Sequence, residues 1–254
     1  MQAVVQSSNT EAHRNHSYSV GLARTTEEVR EAQRLRYKVF TEEFGARLPS
    51  RLAGHDIDHF DAHCEHLIVR EQSAGRIVGT YRILPPDAAR HVGGCYAETE
   101  FYLNRLSHLR DRLVEVGRSC IHRDYRSGAV IAMLWSGLAD YMARNGHEYL
   151  MGCASISMAD GGHNAANLFA TLSPEQFAPT EYRVFPLHRL PRERLANGAP
   201  ALVPPLLKGY LRAGAWVCGE PGWDPDFNSA DLLLLLPMSR LAPRYARHFG
   251  AMAA

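Results

Sequence analysis

Val114-Glu115-Val116-Gly117-Arg118-Ser119-Cys120-Ile121-His122-Arg123-Asp124-Tyr125-Arg126-Ser127-Gly128-Ala129-Val130 is the segment on which the reading of the chain turns. Its first half is apolar and β-branched, which predicts a strand over Arg112–Ile121. A short basic turn follows, and then a long apolar helix from about Gly128 to Arg144 that Asn145-Gly146 terminates. Backbone N–H groups at such a turn and helix start can cradle a phosphate, and Arg123 and Arg126 add positive charge. Glu115 and Arg118 stand three residues apart, which puts them on opposite faces of a flat strand. Gly117 between them is the expected place for a bulge that brings both side chains to one side and splays the strand. An unpaired carboxylate inside a strand is costly to bury. Glu115 is therefore read as a base that removes a proton from an amine nucleophile, against the plainer reading of an ion pair across the sheet.

On the N-terminal side, Tyr18–Arg24 alternates like a strand, and Thr25-Thr26-Glu27-Glu28 supplies a capping box for a helix. Val29, Ala32, Val39 and Phe40 give that helix its apolar stripe, and Gly45 ends it. A loop rich in acid and histidine spans about Arg47 to His63. Strands Cys64–Glu71 and Arg76–Leu84 form a hairpin through Ser73-Ala74-Gly75, stopped by Pro85-Pro86. A short polar helix is expected near Asn104–Arg110. On the C-terminal side the pattern gives a strand at His147–Ser155, a helix at Asn164–Leu172 and an extended stretch at Tyr182–His188. A helix at Pro204–Ala213, an extended Ala215–Cys218 and a buried strand at Asp231–Leu236 complete it. Strands that first pair and then alternate with helices define an α/β class with a mixed, splayed β-sheet flanked by helices. Residues 1–17 read as a flexible tail and 18–254 as one domain.

Composition narrows the function. With 254 residues, 46% hydrophobic, the chain can bury a core and is not disordered. The 28 cationic residues balance 27 acidic ones, so general nucleic-acid binding is excluded. No apolar run is long enough to span a membrane, and the first 17 residues lack the apolar region of a secretory signal. Five cysteines scattered singly predict reduced thiols and a cytoplasmic setting.

The motifs then fall in order along the chain. Arg36-Tyr37-Lys38-Val39-Phe40 closes the first helix, and Asp58-His59-Phe60-Asp61 follows in the loop. Gly79-Thr80-Tyr81-Arg82-Ile83-Leu84-Pro85 ends the hairpin, and Phe101 precedes the Glu115-x-x-Arg118 pair. Together these resemble the signature of acyl-homoserine-lactone synthases and their relatives in the GNAT N-acyltransferase superfamily. The run Val114–His122 with Asp124–Gly128, Leu206–Ala215 and Asp226–Asp231 is most similar to the ornithine-lipid N-acyltransferases. The resemblance covers about Tyr18 to His248 and implies a GNAT-like fold. It also implies a cytoplasmic enzyme that moves a (3-hydroxy)fatty acyl chain from acyl carrier protein to the α-amino group of ornithine, giving lyso-ornithine lipid.

On that resemblance Glu115 and Arg118 are catalytic, and Arg36, Phe40, Asp58, Asp61 and Arg82 form the amino-acid site: the aspartates are candidates to hold its second ammonium, and Arg36 and Arg82 either bind its carboxylate or pair with those aspartates. Val116, Gly117, Arg123, Arg126, Ser127 and Gly128 bind the acyl donor. The donor motif of the superfamily, Q/R-x-x-G-x-G/A, is displaced here: Arg126 takes the first place, but Ala129 and Ile131 fall where the small residues belong. A donor that presents only a phosphopantetheine arm, as acyl carrier protein does, fits this better than the pyrophosphate of CoA. Phe169 stands where many of these enzymes place a tyrosine acid. An N-acyl amino acid synthase with another acceptor, a lactone synthase using S-adenosylmethionine, and an inactive carrier- or lipid-binding domain remain the alternatives.

His55, His59, His63 and His66, interleaved with acids, suggest a metal site, but the segment reads as a loop and no metal is expected. A C-terminal helix over Ser239–His248 would present Arg240, Arg244 and Arg247 as one basic face, suited to the acidic carrier or to peripheral contact with an anionic membrane surface.

Overall fold

The computed structural model describes residues 17–48 and 50–242. β1 (Tyr18–Leu22) leads into α1 (Thr26–Phe44), and the hairpin β2 (Glu65–Glu71) and β3 (Arg76–Leu84) follows. A short helix α2 (Pro86–Val92), β4 (Phe101–Tyr102) and a 3-10 segment precede β5 (Leu113–Ile121), which runs through a turn into α3 (Ala129–Arg144). β6 (Tyr149–Ser157), α4 (His163–Thr171), β7 (Phe185–Pro186), α5 (Arg192–Leu195) and α6 (Pro205–Ala213) come next. The described chain then forms β8 (Trp216–Val217), β9 (Gly222–Asp224) and β10 (Ser229–Pro237).

The main sheet has the order β1-β2-β3-β5-β6-β10-β8, with β9 also on β10, and β4 and β7 form a separate ribbon. Within the main sheet only β5 and β6 run parallel. The α/β class therefore holds, with a mostly antiparallel, open sheet.

Local signals explain the first helix. Thr25 accepts from the Glu28 N–H at 3.2 Å, while the Glu28 carboxylate takes the Arg24 N–H at 2.7 Å, one residue before the expected partner. Gly45 ends α1 in the left-handed region (φ 68°). Ala32, Leu35, Val39 and Phe40 of α1 then pack with Ile68, Ile77 and Cys120 on one face of the sheet. Val130, Leu134 and Leu138 of α3 pack with Leu67, Val78 and Val114 on the other.

The strands part where the sequence predicts. β5 and β6 pair only at Leu113–Tyr149, Val114–Leu150 and Glu115–Met151, and beyond these the ladder stops. The β3 partner shows why: Thr80 to Arg82 spans two residues where Cys120 to Gly117 spans three, a bulge in β5. The left-handed residue in this bulge is Arg118 (φ 51°), not Gly117, whose φ is ordinary. The expectation of a glycine-centred bulge is corrected by one residue. A non-glycine residue in that conformation costs roughly 1–2 kcal/mol and must be held by its side chain.

Other differences have local causes. Pro85-Pro86 stops β3 as expected, and Pro86 also opens α2, which Gly93 caps. The stretch Tyr182–His188 pairs only at Phe185–Pro186, because residues Thr180–Tyr182 close a 3-10 turn. The five cysteines are all free, as predicted. Of the proposed C-terminal basic helix, Met238–Arg240 is a 3-10 turn and Arg240 lies over the Trp216 ring, while Arg244 and Arg247 lie outside the described residues, as does nearly all of the proposed tail. Among the described residues no helix is long and apolar enough to cross a membrane.

Just past the last β5–β6 pair, a Cβ on Gly152 would sit 2.4 Å from the Val116 carbonyl oxygen. Backbone cannot yield there as a flexible side chain could. Gly152→Val is expected to lower stability by about 1–3 kcal/mol, read as the shift in urea midpoint at constant m-value.

Candidate active site

A cavity of ≈ 1090 Å³ opens at the point where β5 and β6 part. Strand alternation gives it two unlike halves. Val114, Val116 and Leu150 belong to the core under α3, and on that side the cavity is walled by Ile131, Ala132 and Trp135 of α3 and Leu206, Gly209 and Tyr210 of α6. A Cβ on Gly209 would meet the Trp135 ring at 2.3 Å, so a glycine is what lets α6 close on α3. Tyr81 and Tyr210 join through their hydroxyls at its wall. Glu115 is paired across the sheet with Leu84, and Gly117 with Arg82, so these face the α1 side. That half is polar and holds Arg82, Arg118, Glu115, Glu100, Asp224 and Asp231.

Behind the polar half lies an ionic cage. Arg36, 0% exposed, donates from Nε to Asp56 at 2.8 Å and from Nη2 to Asp61 at 2.7 Å. Arg82 donates to Asp58 at 2.7 Å and to Asp61 at 3.0 Å. Arg118 reaches Asp58 at 3.0 Å and stands 3.2 Å from Asp56. Its guanidinium also lies between the Tyr96 and Phe227 rings, at 4.6 and 4.3 Å from their centroids. Three arginines thus match three aspartates. Burial alone would raise the Asp61 carboxyl, but Arg36 and Arg82 override it and hold it well below the usual carboxylate range. His66, buried beside Arg36, is pushed down to about 4, by burial first and by that guanidinium second.

Glu115 is 5% exposed, and its two oxygens accept the N–H groups of Tyr96 (2.6 Å) and Ala97 (2.7 Å). Burial pushes its pKa up to about 7 against the pull of those two hydrogen bonds. Each carboxylate oxygen has a second lone pair, so the group can still accept a proton from the cavity it lines.

The residues singled out in the sequence are brought together unequally. Glu115, Arg118, Phe40, Arg82, Val116, Gly117, Arg126 and Gly128 line the cavity. Arg36, Asp58 and Asp61 do not: they are spent on one another and on Arg82 and Arg118. The expectation that Asp58 and Asp61 hold a substrate ammonium is corrected, because arginines already neutralise both. Arg36 is likewise engaged and cannot meet a substrate carboxylate. Arg123 is exposed and 3.8 Å from Asp124, and Ser127 is exposed, so neither reaches the cavity. Arg126 ties the end of β5, donating to the Ile121 carbonyl at 2.9 and 3.1 Å, and pairs with Glu43. Phe169 packs edge-on against Phe177.

The sequence reading missed Glu100 and Asp224. Together with Asp231 they form the one group of three or more potential ligand side chains among the described residues whose donor oxygens lie within 4.8 Å of one another. The available signal was Asp231 itself, an acid opening the run Leu232–Leu236 of a wholly buried strand. The four histidines do not form such a group among the described residues.

The cage makes a testable claim about stability. Asp61→Asn leaves Arg36 and Arg82 short of a counter-charge in the interior, and should cost about 3–5 kcal/mol in denaturant unfolding. Because the folded-state pKa is depressed, the stability Asp61 contributes is fully present above about pH 4 and is lost as pH falls below it. The variant's deficit should therefore shrink in acid.

Comparison with known proteins gives the family and the fold. The model of the Acetyltransferase (GNAT) domain family matches residues 35–136. The L-ornithine N(alpha)-acyltransferase of Rhizobium meliloti (strain 1021) is 35% identical over 248 residues, covering 91% of this chain and 83% of that protein. The L-ornithine N(alpha)-acyltransferase of Rhodobacter capsulatus is also 35% identical over 248 residues, 92% of this chain and 95% of that one. Among solved structures, FeeM, an N-acyl amino acid synthase from uncultured soil microbes, superposes with a TM-score of 0.54 at 12% identity, over 92% of this chain and 95% of that one. BjaI, a CoA-dependent acyl-homoserine lactone synthase, gives 0.52 at 15% identity over 92% and 89%. At such identities the two structures speak for the fold.

Proposed function

The chain belongs to the L-ornithine N(alpha)-acyltransferase family, and from that premise we propose that it joins a fatty acyl group to the α-amino group of ornithine. The observation that carries the reading is the two-sided cavity. Its apolar half, between α3 and α6, suits an acyl chain, and its charged half, across the sheet, suits an amino acid. The two meet where β5 and β6 separate, at Glu115.

The acyl thioester enters from the α3 side with its carbonyl carbon in the gap beside Val116 and Gly117. N–H groups of β5 that face β6 beyond Glu115 have no ladder partner there, and serve the developing oxyanion. Ornithine enters from the α1 side. Glu115 takes a proton from its α-ammonium, the freed lone pair attacks the carbonyl carbon, the C–N bond forms and the C–S bond breaks. The attacking nitrogen gives its second proton to the departing sulfur, so the carrier leaves as the free thiol and Glu115 returns its proton to solvent. Arg118 and Arg82 sit where a substrate carboxylate would meet them, each with part of its charge already committed to the cage.

The donor we favour is the phosphopantetheine arm of acyl carrier protein, delivering a (3-hydroxy)fatty acyl chain. Support comes from the start of α3, where Ile131 reaches into the cavity at a place the donor motif keeps small. Gly128 (φ 98°) is the residue there that opens the helix. This reading sets the enzyme in the cytoplasm with its carrier, releasing a lyso-lipid to the membrane surface. It makes the present reaction the first acylation of ornithine lipid synthesis.

Mass spectrometry of lipids from a host expressing the chain tests the proposal. A new species of ornithine plus one acyl chain is expected, and a different head group would overturn it. Glu115→Gln should lower kcat by about 10²–10⁴. In the wild type kcat/KM should fall tenfold per unit as pH drops below about 7, where Glu115 holds its proton, and level off above it. That acid limb should vanish in the variant. Full product formation by Glu115→Gln would refute the base.

A further inference from the structure

Beside the neutral cage, the same cavity holds an acidic group that forms no ion pair among the described residues. Glu100, Asp224 and Asp231 converge from the segment before β4, from β9 and from the start of β10, and all three line the cavity. Among the described residues no ion pair engages any of them, in contrast to Asp56, Asp58 and Asp61. Asp231 is 2% exposed, and its Oδ1 has no hydrogen-bond partner. Glu100 Oε2 is also buried without one. Glu100 and Asp231 share a side-chain hydrogen bond, and Ser155 and Ser229 serve Asp231, yet one oxygen of each stays buried and unpaired beside the cavity, where buried acceptors are otherwise paired almost everywhere in proteins.

We propose that Glu100, Asp224 and Asp231 seat the side-chain ammonium of the acceptor amino acid and thereby make the enzyme select a diamino acid. The inference rests on the acylation reading above and adds to it the residues that choose the substrate.

The geometry fits an ammonium. Three oxygens within 4.8 Å of one another have a common centre no more than about 2.8 Å from each. That is the length of a charge-assisted N–H···O bond, and an alkylammonium has three such donors. Asp224 is held ready, its Oδ1 fixed by the N–H groups of Asp226 (2.8 Å) and Phe227 (3.1 Å). Asp231 Oδ2 is steadied by the Ser229 hydroxyl at 3.2 Å.

The group shares its cavity with the proposed base: Glu100, Asp224, Asp231, Cys153 and Glu115 all line it. An ornithine whose α-nitrogen is at Glu115 thus extends its three methylenes toward the trio. Burial first, and then the neighbouring carboxylates, push the Glu100 and Asp231 carboxyls upward, as expected of acids whose counter-charge is a substrate.

The test compares ornithine with norvaline, which keeps the five-carbon backbone and lacks the second ammonium, in steady-state assays of the full chain. The wild type should favour ornithine by about 10²-fold or more in kcat/KM. In Glu100→Gln and in Asp231→Asn that preference should collapse toward unity, mainly through a rise in KM for ornithine. Circular dichroism and thermal melts confirm that the variants are folded. Wild-type enzyme that acylates both amino acids equally overturns the proposal without any variant. Variants that lose both substrates in equal proportion overturn it too, since they mark a general structural role. Activity abolished by EDTA and restored by a divalent cation, together with calorimetric binding of that cation lost in Asp231→Asn, would assign the trio to a metal instead. A wild type that acylates neither substrate would refute the acylation reading itself, an outcome separate from all of these.

Discussion

The rest of the molecule depends on one unfavourable residue, Arg118, held at φ 51° in the middle of β5. A strand of the sheet interior would not adopt that conformation for its own sake. It persists because the side chain is fixed at several points: by ions at Asp56 and Asp58, and by rings above and below at Tyr96 and Phe227. Once Arg118 is so placed, β5 carries one residue more than β3 can match, bends, and leaves β6 after Glu115. The gap that results joins the apolar and charged halves of the cavity. Backbone strain at Arg118 and the opening between the two halves are therefore two aspects of one device.

The electrostatics follow from that device. Burying arginine costs several kcal/mol unless the counter-charge is close and well oriented. The loop Asp56–Asp61 supplies three aspartates to three arginines, drawn from α1, β3 and β5. The cage thus joins the elements around the splay while adding no net charge. Against that balanced background, the carboxylates without a cation stand out. Glu115 is stabilised by two backbone N–H groups and by no cation at hydrogen-bond range, which leaves it a weak acid near neutrality. The pKa of a buried carboxylate is set here by which acids the arginines have been spent on.

Much of this was legible in the sequence because local rules coincided with the fold. The Thr25 cap and Gly45 stop delimit α1, Gly75 turns the hairpin, and Asn145-Gly146 ends α3. The splay was legible from Gly117 and Glu115-x-x-Arg118, although the strained residue proved to be the arginine, since long-range ion pairs and not glycine's freedom determine where the bulge falls. The roles of Asp58 and Asp61 were misread for a related reason. The acid-rich stretch Gly54–His66, with no lysine or arginine of its own, looks like a cation seat, but its cations arrive from strands and a helix distant in the chain. Glu100 and Asp224 were invisible because their neighbourhood exists only after β9 and β10 pair and the segment before β4 folds across them.

The position of Cys153 bears on how the acyl group travels. A thiol in a cavity that receives a thioester is the natural candidate for a covalent relay, in which the acyl chain would pass first to the enzyme. Such a relay needs a thiolate. Here burial and three neighbouring carboxylates, Glu100, Asp231 and Glu115, all push the thiol well above its usual pKa, so the reactive form is suppressed by the same groups that suit a cationic acceptor. The two roles exclude one another: charges that welcome an ammonium disfavour a thiolate beside it. A cavity open on both faces of the gap leaves room for direct attack of the amine on the thioester, which needs no intermediate on the protein.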